Sequence, residues 1–216
     1  MNKPNISVLI SGRGSNLLSL IKNQINYKVN CIISDNVKAG GLAYGKEFNI
    51  YTKAVLKESC SSLKQQKKII FEAVKESKPD FVVLAGFMQI IPDYFVQEFY
   101  GRLINIHPSL LPKLKGLNTH QRAIEANEEL HGASVHFVDN ELDNGPVIAQ
   151  VTCPIEENDN SEILADRLLP LEHKLYPWVL NYLVIGDIAL KNKKVVYSEK
   201  VIQDAVQNNY ILNLNR

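Results

Sequence analysis

Short apolar runs rich in β-branched residues recur along this chain with helix-patterned segments between them. No other feature restricts the possible folds so strongly. Residues 5–10 (NISVLI), 27–34 (YKVNCIIS), 49–54, 81–87 (FVVLAGF) and 103–107 (LINIH) read as strands. FVVLAGF is almost continuously apolar, the pattern of a central strand covered on both faces. Between these runs lie LLSLIKNQ at 17–24, a short helical stretch at 39–47, a longer segment at 62–76 and a short one at 92–99 with Pro92 in its first turn. The 62–76 segment carries apolar residues at Leu63, Ile69, Ile70, Ala73 and Val74 with lysines between them, which predicts an amphipathic helix. Strands and helices alternating at this spacing predict an α/β fold: a Rossmann-like, mostly parallel sheet with helices on both faces, joined by right-handed crossovers.

The pattern then changes. GASVHFV at 132–138 and VIAQVTCP at 147–154 are strands joined by the short loop DNELDNGP, so the C-terminal portion is expected to pair antiparallel. A helix is expected over 161–182, kinked or split at Pro170, and a terminal hairpin over 186–198. No repeat, low-complexity tract or flexible linker interrupts the 216 residues, so one domain is expected.

Charge and cysteine usage narrow the function. The net charge is +1, which gives no global attraction to nucleic acid or to an acidic membrane. Any anion must be held by a local site. Cys31, Cys60 and Cys153 form no CxxC pair. They read as small apolar residues in a reducing compartment, with no disulfide framework and no metal site. The apolar run near the N-terminus is too short for a signal-peptide core, and no run approaches a membrane span. The expected location is the cytoplasm.

Two places carry candidate chemistry. The segment SGRGSN sits between a strand and a helix, where glycine lets the backbone approach a ligand and the free N–H groups of a helix start suit a phosphate. Ser15 and Asn16 can cap that helix or add donors. The pattern is neither a full Walker loop nor GxGxxG, since Leu17 stands at the third glycine position. Phosphate binding and an ordinary tight turn both stay open. The second place is the end of LINIH. Asn105 and His107 are two apart on a strand, so their side chains share a face, at the C-terminal end where open α/β sheets bind ligands. An amide donor beside an imidazole suits acyl transfer, where a carbonyl oxygen turns negative and a proton must move. Asp143 lies in the loop between the two later strands. It either orients His107 or makes a turn with Asn144 and Gly145. His136 faces the same cleft or serves in packing.

SGRGSN, PDFVVLAGFMQII, GRLINIHPSLLP, THQRAIE, HGASVHFVDNELDNGPVIAQ and LEHKLYP occur in this order. Over about residues 5–182 the chain resembles the folate-dependent phosphoribosylglycinamide formyltransferases. The resemblance implies transfer of a formyl group from 10-formyltetrahydrofolate to the amine of glycinamide ribonucleotide in purine synthesis, with no metal. It implies a catalytic group of Asn105, His107 and Asp143. Gly14, Ser15, Asn16 and Glu172 match the glycinamide ribonucleotide contacts. Met88, Gln89, Ile90 and Ile91, with Asn105, Asp139, Asn140, Glu141, Leu142 and Asp143, match the folate contacts. It implies one formyltransferase domain, 1–216. Residues 1–100 are its phosphate-binding half and residues 101–216 its catalytic and folate-binding half. Small-molecule substrates are implied, with no nucleic acid or membrane partner, in a monomer or homodimer.

The chain departs from the family at named positions. Gln89 and Leu63 stand where arginine is common, with Lys64 beside Leu63. Residues 115–120 read KGLNTH in place of PGLHTH, and Asn144 replaces a glycine. Three alternatives share parts of the pattern. A formyltetrahydrofolate deformylase usually has a preceding regulatory domain, whereas this fold begins within ten residues. A methionyl-tRNA formyltransferase normally adds a C-terminal barrel and a basic surface. A non-catalytic folate or nucleotide sensor would not need the Asn-His-Asp group.

Overall fold

The computed structural model describes residues 2–214. The chain divides between Ile104 and Asn105 into two compact units.

The first unit holds β1 (Asn5–Ile10), α1 (Ser15–Lys22), β2 (Lys28–Ser34), α2 (Ala43–Glu47), β3 (Tyr51–Ala54), α3 (Leu63–Glu76), β4 (Phe81–Leu84) and α4 (Asp93–Glu98). The strands are ordered β4-β1-β2-β3 and every pair is parallel, with Val8 opposite both Ile32 and Val83, and Ile32 opposite Thr52. β1 is therefore central, and Ile6 to Ile10 are fully buried. Leu17, Leu20 and Ile21 of α1 and Ile70, Ala73 and Val74 of α3 complete this core.

Two sequence expectations need correction here. The strand expected over 81–87 ends at Leu84, because Gly86 takes φ 71° and turns the chain away. On α3 the inward position near the start is Gln66, 1% exposed, while Leu63 is exposed. Gln66 is accommodated because its Nε2 donates to the carbonyls of Asp35 at 3.0 Å and Val55 at 2.7 Å, as a buried amide must.

β5 (Leu103–His107) crosses from one unit to the next. The second unit continues with α5 (Thr119–Glu125), β6 (Leu130–Phe137), β7 (Val147–Pro154), α6 (Ser161–Leu183), β8 (Ile188–Lys191), β9 (Lys194–Tyr197), α7 (Glu199–Gln207) and β10 (Ile211–Leu212). β6 pairs antiparallel with β7, and β7 with β10. The α/β class and the antiparallel C-terminal portion are thus as expected. The hairpin β8–β9 turns on Asn192 and Lys193, both with positive φ, the geometry that matches strand twist.

α6 runs as one helix through Pro170 and Pro177, so of the kink or split expected at Pro170 the split does not occur. Each proline removes one helical hydrogen bond. Leu164 and Leu168 before Pro170, and Leu175, Tyr176, Val179 and Leu180 after it, are all buried, so tertiary packing holds the helix through the break. α5 and α7 were not foreseen as helices. Asp204 of α7 accepts from Trp178 Nε1 at 2.6 Å and Tyr182 Oη at 2.9 Å, which ties the tail to α6.

Candidate functional site

In the second unit, β5 delivers Asn105 and His107 on one face, as a period of two requires. The loop after β6 brings Asp143 to them. His107 Nδ1 lies 3.4 Å from Asp143 Oδ2, and their side chains are only 7% and 9% exposed. His107 Nε2 donates to the Leu114 carbonyl at 3.0 Å. Both ring nitrogens thus face oxygens, which fixes the orientation of the imidazole. Asp143 takes φ 48°, a conformation that aspartate tolerates better than most residues. Its Oδ2 also accepts from the Gly116 amide at 2.9 Å. Gly145 is dictated by space, because a Cβ there would lie 1.9 Å from the Phe137 carbonyl oxygen.

His136 belongs to the same group. The β6–β7 register slips between Val135 and His136, an irregularity of the kind that re-aims a side chain. His136 Nδ1 donates to the Phe137 carbonyl at 2.8 Å, which leaves Nε2 as an acceptor for Asn105 Nδ2 at 3.2 Å. Burial pushes the His136 imidazole down to about 4, against a smaller opposing pull from the Phe137 carbonyl and Asp143. The ring is therefore neutral at ordinary pH. Asp143 Oδ1 lies 3.9 Å from His136 Nε2. The sequence left His136 open between cleft and packing; the signal that places it in the site is the bulge, which no local pattern announces. A second imidazole pair lies nearby in the chain. His131 Nε2 is 3.0 Å from His120 Nδ1, and burial lowers His131 to about 4.

In the first unit, SGRGSN links β1 to α1. Gly14 itself is the N-cap, with φ 79°, and a Cβ there would approach Gly41 Cα to 2.6 Å. Ser15 and Asn16 thus occupy the first turn of the helix and do not cap it. The order β4-β1-β2-β3 reverses direction between β1 and β4, the position where open α/β sheets form a ligand crevice. The segments after these two strands meet there: Ser11 Oγ accepts from the Met88 amide at 2.9 Å. Met88 and Ile90 are exposed, while Gln89 Nε2 donates to Asp35 Oδ2 at 2.8 Å and Gln66 Oε1 at 3.0 Å.

In the second unit, Leu142 is exposed and Glu141 N donates to Asp139 Oδ1 at 3.0 Å, a turn that shapes the loop before Asp143. Glu172 is buried on α6. Among the described residues no group of three or more His, Cys, Asp or Glu could hold a metal, and no helix is long and apolar enough to cross a membrane. The three cysteines are unbridged.

Residues 4–180 match the family described as Formyl transferase. The phosphoribosylglycinamide formyltransferase of Escherichia coli K12 is 40% identical over 190 residues, covering 86% of this chain and 90% of that protein. The enzyme of the same name from Haemophilus influenzae is 38% identical over 201 residues, covering 91% and 95%. Among solved structures, the phosphoribosylglycinamide formyltransferase of Coxiella burnetii aligns with a TM-score of 0.85 at 38% identity, over 91% of this chain and 94% of that one.

Proposed function

This chain belongs to the formyl transferase family, and from that premise we propose that it moves the formyl group of 10-formyltetrahydrofolate onto the amine of glycinamide ribonucleotide. The observation that carries this reading is the linkage of Asn105, His107 and Asp143: His107 and Asp143 are buried side by side, and half-buried Asn105 joins them through His136. The amine lone pair attacks the formyl carbon, and the carbonyl π pair moves onto oxygen. Asn105 Nδ2 has one hydrogen on His136 and a second for that oxygen. Leu114 holds His107 Nε2, and the Nδ1 hydrogen, which faces Asp143 Oδ2 at 3.4 Å, is shared between that carboxylate and the developing oxyanion. Donors aimed at a developing oxyanion stabilise the transition state more than the substrate. The bond from carbon to the folate nitrogen then breaks. Asp143 and His107 take the proton lost by the amine and return one to the folate nitrogen.

In the first unit, Gly14, Ser15 and Asn16 serve the phosphate, and Met88, Gln89, Ile90 and Ile91 serve the folate. In the second, Glu172 serves the glycinamide group, and Asp139, Asn140, Glu141 and Leu142 serve the folate ring. The whole chain acts as one formyltransferase domain in the cytoplasm.

The test mixes purified protein with 10-formyltetrahydrofolate and glycinamide ribonucleotide. Loss of formyl-folate that depends on the acceptor is the expected result. Formate release without acceptor identifies a deformylase instead, and binding of both ligands without transfer identifies a sensor.

A further inference from the structure

Two backbone groups of the segment 114–118 touch the reacting residues of the second unit. The Leu114 carbonyl holds His107 Nε2 at 3.0 Å, and the Gly116 amide holds Asp143 Oδ2 at 2.9 Å. Lys115 stands between them in the chain. Its Nζ donates to Oδ1 of Asn144, the residue that follows Asp143. Arg122 of α5 secures the same segment, its Nη1 donating to the carbonyls of Lys115 at 2.7 Å and Leu117 at 3.2 Å.

The backbone here needs such support. Leu114, Gly116, Asn118 and Asp143 take φ values of 56°, 82°, 57° and 48°. Glycine and asparagine adopt the left-handed region readily, but leucine has no side-chain hydrogen bond to offset its cost there. A segment in that conformation persists only where its surroundings over-determine it. An amide at 144 accepts the Lys115 ammonium without setting a second carboxylate beside Asp143. A glycine at 144, common in the family, offers no side-chain acceptor, so the contact depends on this chain's own Lys115 and Asn144.

We propose that Lys115, acting through Asn144, is a positioning residue of the transfer centre, clasping the Asp143 loop to segment 114–118 and thereby setting His107 and Asp143 together. This rests on the formyl-transfer reading above. Neither residue touches substrate in this role. The clasp acts on geometry, so its loss lowers kcat and leaves KM for both substrates near the wild-type value.

The test uses the full chain with Lys115→Met, Asn144→Gly, the double variant and Lys115→Arg. Each single variant is expected to lower kcat about fivefold, the factor that one net hydrogen bond represents. The double variant should be no worse than either single one, because the same contact is lost. Lys115→Arg, which retains a donor, should recover most of the loss. Amide hydrogen exchange at Gly116, read by NMR without substrate, should accelerate in Lys115→Met and Asn144→Gly. Unchanged kcat in the single variants, or losses that multiply in the double variant, overturn the proposal. If the wild-type protein transfers no formyl group, the functional reading fails and the positioning role with it. The Gly116 exchange rates then still decide whether the clasp exists.

Discussion

Asn105 Nδ2 lies 3.2 Å from His136 Nε2, and this bond decides which way the Asn105 amide faces. The direction follows from a chain of donors. The Phe137 carbonyl can only accept, so His136 Nδ1 carries the hydrogen. The other ring nitrogen is then bare and can only accept. Asn105 must present its NH2 there, which leaves its second amide hydrogen for the oxyanion of the proposed mechanism.

His136→Leu removes that acceptor while keeping apolar volume. The Asn105 amide can then rotate, and kcat is expected to fall about fivefold, the factor for one lost orienting hydrogen bond. KM for formyl-folate should change little. In the wild-type protein, nitrogen NMR should show His136 protonated at Nδ1; protonation at Nε2 would rule this account out.

In the proposed mechanism Asn105→Ala and His107→Ala each remove a donor at the developing oxyanion. Turnover should drop by roughly 10²–10³ in each. Steady-state kinetics on variants with wild-type circular dichroism checks this, and near-normal rates in both would sink the assignment.

Stability should depend on acid through the buried imidazoles. His131 and His136 are both held down to about 4 by burial, against an ordinary value of 6.5. Between those limits the unfolded chain binds more protons than the folded one, so unfolding becomes easier as pH falls. Their contribution is fully present above pH 6.5 and is lost progressively toward pH 4. Melting temperatures measured from pH 7 to pH 4 should fall through this window, and replacing His131 with a residue that does not titrate should flatten the slope.

Asp204→Ala strips the acceptor from Trp178 and Tyr182. Two part-buried donors lose a charged partner, so unfolding free energy should fall by roughly 1–3 kcal/mol. Urea denaturation would measure it. The catalytic rate per folded molecule should stay at the wild-type level, since α7 serves here to hold the tail on α6.

Much of the fold was legible in periodicity. The alternation of apolar runs with amphipathic segments marked every strand of the first unit, and the period of two placed Asn105 and His107 on one face. The inward position of Gln66 is not legible in that pattern, because its polar side chain fills a buried place that only the Asp35 and Val55 carbonyls make tolerable. Pro170 does not split α6, because packing on both sides of it supports what the local rule disfavours. Met88 to Ile91, Asp139 to Leu142 and Glu172 came from family likeness alone; no spacing pointed to them.

By itself the sequence determined the α/β class, the glycine turn before α1, and the Asn-His pair at a strand end. These depend on neighbours within a few residues, where side-chain periodicity and backbone sterics are decisive. Asp143 was joined to that pair only by family likeness; the tertiary structure brings it beside His107, adds His136, and shows Leu114 holding His107 and Gly116 holding Asp143. Those contacts depend on a register slip between β6 and β7 and on left-handed backbone at Leu114 and Asp143. Their cost is local, while the contacts that stabilise them lie far away in the chain.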